Sequence, residues 1–71
     1  MRSGIITRVE DFGLGFIRTA DNGALYVFTF DKIAGYRGES ARALDLRAGR
    51  HVTFAVEDGR VRDVHIHSHA A

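Results

Sequence analysis

Between residues 12 and 30 the chain reads FGLGFIRTADNGALYVFTF and carries five rings: Phe12, Phe16, Tyr26, Phe28 and Phe30. Rings gathered in this way either fill a core or present flat faces on which planar ligands stack. Arg8, Arg18, Lys32 and Arg37 lie within or close to this stretch. Guanidinium groups both stack on planar rings and pair with phosphate. Other chemistries are poorly served. No serine or cysteine stands in a pattern with a partner base, and the acidic residues fall mainly in turns. Gly13-Leu14-Gly15 opens no helix, so it does not read as a nucleotide loop. The chain is therefore not expected to be an enzyme. Cysteine is absent, which excludes disulfides and thiolate metal sites. His65, His67 and His69 alternate, so His65 and His67 are either a pair of metal ligands on one strand face or part of a solvated tail. A chain terminus positions ligands poorly, which favours the tail, and no metal or cofactor is expected.

The elements that must position these rings are short. At 71 residues and 45% hydrophobic composition, the chain makes one small globular domain. Its stability should be modest, because a chain of this size buries only about 60% of its unfolded surface. Nothing resembles an export leader or an apolar run of about 18 residues, so a cytoplasmic protein without a membrane partner is expected. The net charge is +1, and every cation except Lys32 is arginine, which fits either nucleic-acid contact or a coding bias.

Proline is absent, and glycines divide the chain into β-rich segments. Gly4–Val9 reads as a first strand, Leu14–Arg18 as a second and Ala24–Phe30 as a third, the last two joined by an Asp21-Asn22-Gly23 turn. A polar loop follows from Ala34 to Ser40, and residues 40–46 could hold a helical turn too short to stand alone. His51–Glu57 alternates, with Val52, Phe54 and Val56 on one face. Asp58-Gly59 is a two-residue hairpin turn, and Arg60–Ile66 is a fifth strand with Val64 and Ile66 inward. The chain is expected to fray from His65, leaving residues 1–66 as the domain and 67–71 as a flexible tail. Five short strands lying flat would expose both edges, which a small antiparallel Greek-key barrel avoids. The five-stranded OB-fold is the common form, and its second and third strands carry the oligonucleotide-binding face.

The order of motifs resembles a known family. Gly13-Leu14-Gly15-Phe16-Ile17, then Asp21-Asn22-Gly23, then Val27-Phe28-Thr29-Phe30 with Ile33, then Leu46-Arg47-Ala48-Gly49 with Val52-Thr53-Phe54-Ala55-Val56, is similar to the bacterial cold-shock domain. The likeness covers roughly residues 3 to 66, through the family's G-F-G-F-I, V-F-V-H-F and L-x-x-G-x-x-V-x-F-x-V segments. Departures fall on the family's binding face. The first turn is one residue shorter, and Arg8 stands where the family has an exposed tryptophan. Thr7 replaces a lysine and Val9 a phenylalanine, Leu14 and Val27 replace stacking phenylalanines, and Thr29 replaces a histidine.

The resemblance implies a cold-shock-like OB barrel that holds single-stranded RNA or DNA, as an RNA chaperone or expression regulator. It places Tyr26 and Phe28 in the core and Phe12 in a turn. Phe16 and Phe30 would then face outward, with Tyr36 as a ring from the long loop. Arg8, Arg18 and Lys32 would join them, and Leu14 and Thr29 would lie on the same face. So few rings imply weak, salt-sensitive binding. Arg8 is either a solvated arginine or a stacking partner. The alternative is a barrel that has lost its platform and serves as a protein-interaction or self-associating module, with Leu14 and Val27 in the contact. No small-molecule substrate is expected, and the chain reads as a monomer or a weak homodimer.

Overall fold

The computed structural model describes residues 1–10 and 12–67. Five strands follow in order: β1 (Arg2–Glu10), β2 (Leu14–Thr19), β3 (Leu25–Thr29), β4 (His51–Glu57) and β5 (Arg60–Ile66). They form one antiparallel sheet in the order β3-β2-β1-β4-β5. The sheet curls into a half-barrel. Its ends approach at a parallel bridge between Ile33 and Val64, where the Ala34 N–H donates to the Val64 carbonyl at 2.8 Å.

Period-two alternation explains which side chains go inside. Ile6 from β1, Ile17 from β2, Phe28 from β3, Val52 and Phe54 from β4, and Val61 and Val64 from β5 are buried together with Phe30, Ile33 and Leu46. Two strands depart from strict alternation. In β1 the register shifts between Ile6 and Arg8, so Thr7 is an extra residue. In β5 the pairs Thr53–His65 and Ala55–Arg62 leave Phe54 facing two residues. There Asp63 adopts φ 53°. This second bulge explains how Val61 and Val64, three residues apart, both point inward.

The turns behave as their residues dictate. Asp58 and Gly59 have φ of 52° and 76°, the two positive values a type I′ hairpin needs. The β2–β3 turn is tied by buried Thr19, whose hydroxyl donates to Asn22 Oδ1 at 2.6 Å and accepts the Ala24 N–H at 3.0 Å. Asp21 accepts the Asn22 N–H at 2.8 Å, which holds its carboxyl below the ordinary value of 3.8. Residues 41–45 form successive turns rather than a helix, with Leu44 N–H bonded to the Ser40 carbonyl and Leu46 N–H to the Ala41 carbonyl. Leu46 then drops into the core.

The expectation that the chain frays from His65 is corrected. His65 and Ile66 belong to β5, and the His67 N–H donates to the His51 carbonyl at 2.9 Å, extending the ladder. Of the expected tail, residues 68–71 lie outside the described residues.

Gly15 is fixed by packing. It pairs with Phe28 across the β2–β3 ladder, and the Phe28 ring lies over it. A Cβ at position 15 would stand 2.6 Å from both Cε1 and Cζ of that ring. Gly15→Ala is therefore expected to displace a core ring and cost about 1–3 kcal/mol, read from the urea midpoint. A midpoint equal to wild type would refute this account of the glycine.

Candidate functional site

The outward side of β1, β2 and β3 is a small three-stranded face, and the register arranges it in rows. Ile5, Arg18 and Leu25 form the first, Arg8, Phe16 and Val27 the second, and Glu10, Leu14 and Thr29 the third. The Thr7 bulge creates this alignment. Without the extra residue, the positions after Ile6 would reverse sides, and Arg8 would not stand beside Phe16.

The face is more apolar than charged. Ile5, Leu25 and Val27 are 41%, 55% and 52% exposed, while Leu14 and Phe16 are half-buried among their neighbours. Arg8 is well exposed but forms an ion pair with Glu10 at 2.5 Å. Arg18 leans along the hairpin and donates from Nη1 to the Gly23 carbonyl at 3.1 Å. Thr29 donates its hydroxyl to Asp31 Oδ1. Lys32 is exposed at the end of the 3-10 turn Phe30–Lys32 that follows β3. Cation and carboxylate therefore alternate around the rim.

Several expected site residues are brought together: Arg8, Leu14, Phe16, Arg18 and Thr29 share one face. Two are not. Phe30 is only 4% exposed and belongs to the core, which overturns its outward assignment. The reason is local. Phe30 has the same parity as Tyr26 and Phe28, and the 3-10 turn keeps its ring inside, 6.4 Å from the Phe28 ring. Tyr36 is not a free loop ring either. It packs edge-on against Phe30 with centroids 6.2 Å apart, and its hydroxyl donates to the Glu39 carbonyl at 3.0 Å. The Glu39 carboxylate accepts the Arg37 N–H at 2.6 Å, which lowers its pKa and closes the loop.

Tyr26 and Phe28 point inward, as the resemblance implies. Phe28 is buried, and Tyr26 packs on Phe54 at 6.0 Å with the Arg2 guanidinium over its ring. Phe12, assigned only to a turn, is 78% exposed and is the most exposed ring among the described residues. Its signal in the sequence was a bulky residue next to the glycine of a tight turn, where no inward position exists. A shallow depression lined by Met1, Arg2, Ser3, Ala20 and Asp21 lies at the start of β1.

Among the described residues, no three His, Cys, Asp or Glu side chains stand together in a coordinating arrangement. No helix of the described residues is long and apolar enough to cross a membrane. No family model, curated protein or solved structure matches this chain.

Proposed function

We propose that the chain is a cold-shock-like barrel of the OB type that holds single-stranded RNA or DNA on the outer face of β1, β2 and β3. The observation that carries this reading is the central row Arg8–Phe16–Val27, which sets an outward ring beside a guanidinium in the middle of a three-stranded sheet. A base stacks on Phe16 with its edges against Leu14 and Val27. The phosphates follow Arg8, Arg18 and Lys32. The strand order and the parallel Ile33–Val64 bridge are compatible with a five-stranded Greek-key barrel. The role is that of a cytoplasmic RNA chaperone or expression regulator that captures unpaired bases, with no catalytic step.

Binding is weak because Phe30 and Tyr36 are spent on packing, and because Glu10 neutralises Arg8. Three phosphate contacts on a single strand correspond to a slope of about −2 in log K against log salt. Fluorescence anisotropy with labelled seven-nucleotide oligo-U and oligo-dT, at low and moderate salt, is expected to give saturable binding with a slope of that size. Absence of binding at low salt would overturn the reading.

A second reading is favoured by the exposure of Ile5, Leu25 and Val27, which is more apolar than a base platform requires. In it the same face contacts a protein partner or a second copy. That reading gains if oligonucleotides fail to bind while sedimentation shows association that Val27→Lys abolishes.

A further inference from the structure

We propose that His51, His65 and His67 form a binding site for a divalent transition-metal ion of the zinc type on the outer face of β4 and β5. The site adjoins the oligonucleotide face, since His51 pairs with Ile5 across β4 and β1, but it uses none of the residues that carry that reading and does not depend on it.

The register is the starting point. His65 pairs with Thr53, and the His67 N–H bonds the His51 carbonyl at 2.9 Å, so His51 and His67 are direct cross-strand neighbours. His67 directly follows β5, and its N–H bond to His51 carries the ladder one residue further, so it shares a face with His65 two residues earlier. All three are exposed, while Val52 between His51 and Thr53 is buried. The three imidazoles thus project from one side of the β4–β5 ladder and its one-residue extension at His67. Two come from adjacent same-face positions of one strand and the third from the strand beside it.

Backbone spacing suits a single ion. Cross-strand partners stand about 5.5 Å apart and same-face neighbours about 7 Å apart between Cα atoms. Imidazole nitrogens bind zinc at about 2.0–2.1 Å, a reach the side chains can meet from such positions by rotation about their own bonds. Three neutral imidazoles form a borderline donor set that suits zinc, copper or nickel better than magnesium or calcium. The three rings are not gathered in a coordinating arrangement and must turn about their own bonds to meet an ion. His67 Nε2 lies 2.9 Å from Thr53 Oγ1. That contact is also what an oriented ligand needs. In the tautomer with the proton on Nε2, Thr53 Oγ1 accepts it and Nδ1 keeps the lone pair that a metal ion needs.

The Asp63 bulge makes the arrangement possible. Counting back from the Asp58-Gly59 turn without it, His65 would sit opposite Val52 and point into the core. The extra residue moves His65 and His67 onto the outer face, where His51 stands.

The test is a titration of Zn²⁺ alone into the full chain in a non-chelating buffer, by calorimetry and by NMR of the imidazole Cε1–H signals. The expected result is one ion per chain, with shifts at His51, His65 and His67 that a chelator reverses. His51→Ala is expected to weaken binding by roughly tenfold or more, since even outer-shell partners of a metal contribute that much. His51→Asn serves as a second variant, and an amide NMR spectrum confirms that each retains the fold. The proposal is overturned if no one-to-one binding occurs. It is equally overturned if both His51 variants, folded, bind as tightly as wild type, because the ion would then sit on the C-terminal histidines alone.

Discussion

Replacing Phe30 by alanine is expected to cost about 3–5 kcal/mol of stability, the range for deleting a buried aromatic ring. A domain of this size has on the order of 5 kcal/mol at the low end of the usual range, so the variant should be largely unfolded at ambient temperature. The ring touches Phe28 and Tyr36 and closes the core beneath the 3-10 turn. Its loss leaves a cavity between Phe28 and Tyr36. Urea denaturation followed by circular dichroism gives the answer directly. A loss below about 1 kcal/mol would mean that Phe30 faces solvent after all, and would return it to the stacking face.

Phe16→Ala should behave in the opposite way. Its side chain lies on the outer face between Arg8 and Val27, so the fold is expected to survive with a modest change in midpoint. Binding to short single strands should fall by about 1–3 kcal/mol, the value of one base–aromatic stack, or roughly 5- to 150-fold. Anisotropy titration of the folded variant checks it. Unchanged affinity would remove the central stack from the proposed mechanism, and base contacts would have to pass to Phe12 or to the aliphatic rows. Measured together, the two phenylalanines separate a packing role from a ligand role within one hairpin.

How much of this was legible in the residues differs by element. β4 and β5 begin and end where alternation and the Asp58-Gly59 turn place them, because both signals are local. β1 runs further than its sequence suggests, from Arg2 to Glu10, since its ends are ordered by partners distant in sequence, such as Phe54 opposite Arg2. The two bulges are harder to read. One inserted residue leaves composition unchanged and appears only as a phase slip, visible in hindsight as Val61 and Val64 both demanding burial. Phe30 is instructive for another reason. Its parity with Phe28 argues for the core, whereas likeness to the cold-shock domain argues for solvent, and the local geometry prevailed. Tyr36 lies in an aperiodic loop, where no spacing rule says whether a ring folds back. The grouping of Arg8 with Phe16, and of His51 with His67, requires register. Register depends on pairing rather than on the residues of either strand alone.

The place of β3 at the end of the hydrogen-bonded order also sets how this protein fails when crowded. Its sequence, LYVFT, has no charge, no proline and no bulge to discourage an approaching chain. β3 is one of the two edges of the sheet, and it is the uncharged one. Edge-to-edge pairing through this strand is therefore the expected route to precipitation at high concentration.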